Sequence, residues 1–135
     1  MNTLEEPDLT RSPMLAWFAD PSGYIYWYNS KWFEYTGTET ADMQGWGWQS
    51  VHHPKTLPDV LVRWKDCLAT GKSFQMIFPL RGADGIYRPF LTIVNPVRDA
   101  AEKIIRWAGV NLEVGGMTIG RDAEEWQEMS RKIAM

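Results

Sequence analysis

Apolar residues recur at every second position along residues 73–81, where Phe74, Met76, Phe78 and Leu80 share one face, as a half-buried strand requires. Pro79 falls on the other face and has no N–H for a ladder, which predicts that this strand lies at a sheet edge. Two further strand-like runs follow at 87–97 and 103–112, joined by Gly82-Ala-Asp-Gly85 and Arg98-Asp-Ala-Ala-Glu102, both of hairpin length. A first hairpin is predicted where 14–19 and 24–28 flank Asp20-Pro-Ser-Gly23, with Pro and Gly at the second and fourth positions of a type I turn. The period changes at Leu57, Leu61, Trp64 and Leu68, which sit at i, i+4, i+7 and i+11 with Pro58 in the first turn and Gly71 just past the end: a helix. A shorter helix is predicted over 31–35, capped by Asn29-Ser30 and stopped at Gly37, and 39–44 offers one more turn.

The order is β-β, short helices, one long helix, β-β-β, which predicts an α+β domain of five antiparallel strands with helices on one face. Residues 1–13 read as a flexible, proline-punctuated lead-in, 14–114 as the domain, and 115–135 as a linker followed by an amphipathic helix with Ala123, Trp126, Met129 and Ile133 at helical spacing. The run 87–97 is apolar on both parities, Phe90, Thr92 and Val94 against Leu91 and Ile93. One parity can cover the core, so the other forms an apolar outer face suited to a second copy of the chain or to a docked helix.

Composition narrows the functional classes. With 135 residues, 44% hydrophobic and 23% charged, the chain suits one globular domain. Lys and Arg number 14 against 17 Asp and Glu, and no basic cluster occurs, which argues against a nucleic-acid partner. Cys67 is the only cysteine, so neither an intramolecular disulfide nor a cysteine zinc site can form, and a reducing compartment is expected. The start lacks a secretory pattern and no apolar run approaches the roughly 18 residues of a membrane span, so a cytoplasmic location is expected. The aromatic load of 8 Trp, 5 Tyr and 5 Phe requires either a bulky core or an aromatic binding surface. No catalytic motif is present: Gly45-Trp-Gly-Trp48 lacks the strand-turn-helix setting of a nucleotide loop, and Ser, His and Asp are scattered.

Several segments, in order and spacing, resemble a bacterial PAS domain of the subgroup called PAS fold 3. They are Trp27-Tyr-Asn-Ser-Lys-Trp-Phe-Glu-Tyr-Thr-Gly37, Gly45-Trp-Gly-Trp48, Val51-His-His-Pro54 and Leu57-Pro-Asp-Val-Leu-Val-Arg-Trp64, then Phe74-Gln-Met-Ile-Phe78, Ala83-Asp-Gly85, Pro96-Val-Arg-Asp99 and Ile105-Arg-Trp107. The resemblance implies a sheet in the order 2-1-5-4-3, helices around a small cavity on one face, and a regulatory role without catalysis of its own. It also implies the input module of a sensor histidine kinase or related signalling protein, whose catalytic output would lie outside this chain. A homodimer or another PAS or signalling domain is the expected partner. The sequence departs from the family where Lys55-Thr56 replace the acidic pair after Pro54, where one histidine of His52-His53 is extra, and where Asn111-Leu-Glu-Val-Gly115 replaces an Asp-Ile-Thr type exit motif.

By the same resemblance, the candidate pocket residues are Trp32, Tyr35, His53, Leu61, Trp64, Phe78, Phe90 and Trp107, drawn from the short helix, the long helix and the sheet. Because so many large rings would crowd a cavity, a small apolar or aromatic ligand, or none, is expected in preference to a large cofactor. Haem and flavin stand as alternatives, His53 being the candidate haem ligand just before the long helix. Cys67 lies inside that helix, outside the Asn-Cys-Arg type context of flavin light sensors, and reads as a small hydrophobe. Trp46 and Trp48 read either as core or as a stacking platform.

Overall fold

In the computed structural model, which describes residues 14–114, the two leading apolar runs pair as antiparallel strands β1 (Leu15–Ala19) and β2 (Ile25–Tyr28). Asp20 builds the turn between them. Its carbonyl accepts from Gly23 N at 2.9 Å, and its carboxylate accepts from Ser22 N, Ser22 Oγ and Tyr24 N. Those bonds, the Ser22 hydroxyl first, hold the Asp20 carboxyl below its usual range. Helix α1 (Ser30–Thr36) starts at Asn29 and ends at Gly37, whose φ of 71° is the left-handed conformation that makes glycine the favoured stop. A short α2 (Thr40–Met43) and a 3₁₀ turn (Gly47–Val51) lead to the long helix α3 (Leu57–Thr70), which Gly71 closes in the same way. Strands β3 (Phe74–Arg81), β4 (Tyr87–Arg98) and β5 (Ile104–Glu113) complete the sheet.

The strand order is β2-β1-β5-β4-β3, every pair antiparallel. β3 is therefore an edge strand, and Pro79 stands there opposite Pro89 of β4. The Pro89 carbonyl accepts from Val114 N, so the polar side of Pro89 faces β5 and the two prolines meet where the β3–β4 ladder needs no N–H. Both outer edges are touched by loop backbone. Gly45 bridges to Ile25 on β2, and His52 bridges to Leu80 on β3, where the Tyr35 hydroxyl also donates to the Leu80 carbonyl at 2.6 Å.

Register decides which parity covers the core. Phe90, Thr92 and Val94 of β4 pair with Phe78, Met76 and Phe74 of β3, and this is the face on which the helices pack. Leu91 and Ile93 take the outer face with Val110 and Leu112, half-buried. At the other end of that face, a bulge between Phe18 and Ala19 leaves Tyr26 and Trp27 both exposed, and both rings stack on Phe18. Arg106 lies over Phe18 at 4.5 Å from its centroid. The lead-in expected over 1–13 and the amphipathic helix expected over 115–135 lie outside the described residues.

Asn29 ties the hairpin to α1. Its Oδ1 accepts from Trp32 N as the helix cap and from Ala16 N on β1, both at 3.1 Å, while its Nδ2 donates to the Met14 carbonyl. The residue is buried, so loss of its side chain takes from the Ala16 N–H an acceptor that water does not replace. Asn29→Ala is expected to cost about 2–3 kcal/mol, the cap plus the Ala16 N–H left unpaired on β1, read as a lowered urea midpoint.

Candidate functional site

Between the sheet and the helices lies a cavity of about 40 Å³. Every described element except α2 contributes to its wall: Trp32 from α1, Trp48 from the 3₁₀ turn with His52 just after it, Val60 and Trp64 from α3, and all five strands. From the sheet come Trp17, Ile25, Phe74, Phe78, Thr92, Val94 and Asn111. The walls are mostly aromatic because inward-facing sheet positions carry large rings, and Gly109 in β5 leaves the space that the Trp17 indole fills. Trp64 stands edge-on to Trp17 at 5.6 Å and to Trp107 at 5.9 Å, so a line of three indoles crosses the core beneath α3.

One polar chain crosses this wall. Trp17 Nε1 donates to Asn111 Oδ1 at 3.1 Å, and Asn111 Nδ2 donates to Thr92 Oγ1, all three residues being buried. By contrast, among the described residues no hydrogen-bond partner is found for the indole N–H groups of Trp32, Trp48, Trp64 and Trp107 or for Nδ1 of His52.

Of the residues the sequence singled out, Trp32, Trp64 and Phe78 line the cavity together. Phe90, Trp107 and Leu61 pack in the surrounding core. Tyr35 sits at the β3 edge, its ring against Phe90 at 5.0 Å. His53 stands outside the cavity: its Nδ1 accepts from Lys55 N and its ring lies 4.9 Å from Tyr87. His52 is the histidine of the wall, because its backbone bridge to Leu80 turns the ring inward between Trp48 and Phe78. The Trp46 and Trp48 pair divides, Trp48 entering the core and Trp46 remaining 49% exposed, so the two do not form one platform. Trp17, Thr92 and Asn111 were not anticipated.

Burial alone lowers the His52 imidazole to about 3. The unfolded chain, with a histidine near 6.5, therefore takes up the proton first as the pH falls. The stabilising contribution is complete above about pH 6.5 and is lost progressively toward 3. Stability is expected to fall by about 2 kcal/mol between pH 7 and pH 5, and His52→Leu should flatten the curve in that window. Asp20 and Asp84, both lowered, act only below about pH 4, so urea titrations at several pH values separate the contributions.

The PAS fold family pattern matches residues 24–111. The chain belongs to the PAS family. Among curated proteins, this PAS chain is 34% identical over 97 residues to the uncharacterised protein y4lL of Sinorhizobium fredii, covering 72% of this chain and 12% of that protein. It is 30% identical over 103 residues to the peroxide stress-activated histidine kinase mak1 of Schizosaccharomyces pombe, covering 76% of this chain and 6% of the kinase. The chain thus spans a small fraction of the length of either relative. Among solved structures, the LOV protein of Rhodobacter sphaeroides superposes with a TM-score of 0.66 at 16% identity, over 93% of this chain and 85% of that one. The five-stranded order 2-1-5-4-3 is the PAS and LOV arrangement.

The residues of this PAS domain do not fit flavin or haem. Either group needs several hundred Å³, and the cavity offers about 40 Å³ between side chains that already pack on one another. Cys67 is not part of the wall, and burial pushes its thiol up to about 12, away from thiolate chemistry. Among the described residues no cluster of His, Cys, Asp and Glu is arranged for a metal ion, and no helix is long and apolar enough to cross a membrane.

Proposed function

We propose that this PAS domain is the sensory module of a signalling protein and that it works by taking a small molecule into the cavity under α3, not by catalysis. The observation that carries this reading is the composition of the wall. One space is lined by α1, the 3₁₀ turn, α3 and all five strands, so an occupant that favours one packing of the helices on the sheet shifts the whole domain. The kinship with a histidine kinase supports an output of that kind in another part of the protein or in a partner. Native mass spectrometry of freshly purified protein, with an absorption spectrum of the same sample from roughly 300 to 700 nm, is the direct test. A bound mass below about 200 Da with no visible band is expected from so small a cavity. A tightly held coloured group would overturn the reading.

A second reading, association through the outer sheet face, is favoured by the stacked Phe18, Tyr26 and Trp27 rings and the apolar side chains of Leu91, Ile93, Val110 and Leu112. If two copies pair there, Ile93→Glu should convert a dimer to a monomer in sedimentation velocity while leaving the circular dichroism of the fold unchanged. An unchanged sedimentation coefficient would remove this reading.

A further inference from the structure

Resting on the ligand reading above, we infer that the molecule this cavity selects is small, uncharged and a hydrogen-bond acceptor: a ketone, ether or aza compound with a compact apolar body. An indole N–H donates and never accepts, and three of the lining indoles, those of Trp32, Trp48 and Trp64, are buried with that donor unpaired. The acceptors on the wall are partly spent, since Asn111 Oδ1 accepts from Trp17 and Thr92 Oγ1 accepts from Asn111, each keeping one lone pair against three unpaired indole donors and the Thr92 hydroxyl proton. The unspent polar capacity is therefore weighted toward donors, with His52 Nδ1 able to follow either role according to its tautomer.

A buried donor without a partner is costly, and a ligand acceptor that meets it recovers part of that cost where a hydrocarbon of the same shape recovers none. Charge is selected against by what is missing from the wall. Among the described residues no Lys, Arg, Asp or Glu lines the cavity, so a carboxylate or an ammonium ion would be buried there without a counter-charge. His52, held neutral by its burial, does not supply one at neutral pH. Size sets the last limit. About 40 Å³ lies well below the ~150 Å³ of an apolar cavity known to accept benzene, so a few heavy atoms or one small ring, with slight movement of the wall, is the upper bound.

The experiment uses the full chain labelled with nitrogen-15, whose 8 tryptophans give separately resolved indole N–H signals. These are assigned by through-bond methods so that no core variant is needed. Two pairs of shape-matched probes are titrated: cyclopentanone against methylenecyclopentane, and acetone against isobutene. The carbonyl member of at least one pair is expected to move the signals of Trp32, Trp48 and Trp64 downfield, to leave Trp17 nearly in place, and to bind at least tenfold more tightly than its alkene. Equal binding of ketone and alkene would overturn the acceptor inference while leaving a ligand-binding cavity. If no probe perturbs these signals, both the inference and the ligand reading fall.

Discussion

Gly109→Ala is expected to be among the most damaging single changes in this protein, costing about 3 kcal/mol or more. Gly109 lies on β5, in the middle of the sheet, directly across from Trp17 on β1. A Cβ at this position would fall within the Trp17 indole, on atoms of the ring itself. The ring is restrained where it stands, because its N–H is held by Asn111 and it packs edge-to-face with Trp64. Overpacking must then displace either the β1–β5 pairing or the line of indoles, and the methyl group cannot be absorbed by a flexible side chain. Guanidinium unfolding monitored by circular dichroism measures the loss; a shift of less than 1 kcal/mol would mean that Trp17 is mobile, contrary to the packing described. Gly85, on an exposed turn with open space around its Cα, shows what matters: an added Cβ there meets no neighbour, leaving its φ of 84° as the constraint.

Removal of Trp64 should act from the opposite direction, by opening space. Trp64→Ala deletes a buried indole that touches both Trp17 and Trp107 and forms part of the cavity wall. The expected cost is about 3–5 kcal/mol, the range for a large aromatic core truncation. The space released adjoins the existing cavity, so free indole added to the solution should refill it and raise the unfolding temperature of the variant far more than that of the parent protein. Differential scanning calorimetry with and without indole checks both statements. If the variant is too unstable to purify, Trp64→Leu provides the same test with a smaller deficit.

Much of this architecture is legible in the residues because most of its causes are local. The two-residue period of Phe74, Met76, Phe78 and Leu80, the stripe of Leu57, Leu61, Trp64 and Leu68, and the stops at Gly37 and Gly71 each follow from backbone geometry that neighbours in sequence decide. Pro79 is compatible with the sheet edge because its missing donor would point away from β4, while Pro89 on the interior strand β4 shows that a proline alone does not fix an edge. The strand order came instead with the family resemblance, and it agrees.

The cavity was legible only in part. Adjacent histidines point in opposite directions, and whether His52 or His53 faces inward depends on the backbone bridge to Leu80, a contact between residues far apart in sequence. Trp46 precedes the 3₁₀ turn and Trp48 lies within it, and no hydrophobic pattern announces the phase of that turn. Thr92 and Asn111 did leave a trace. Thr92 is the polar residue between Phe90 and Val94 on the buried parity of β4, and Asn111 begins the segment that departs from the family's exit motif. A polar residue on a buried parity must find a partner there, and these two find each other.

The line of indoles also makes the molecule its own optical instrument. The Trp64 ring centre stands under 6 Å from those of both Trp17 and Trp107. At such separations excitation energy passes among chromophores faster than it is emitted, and their transition dipoles couple. A molecule that quenches Trp64 from the cavity would therefore dim the emission of its neighbours too, and reorientation of one ring would reshape the near-ultraviolet dichroism of all three. Occupancy of a space of a few tens of Å³ becomes visible as a change in the spectrum of the whole core, without any dye attached.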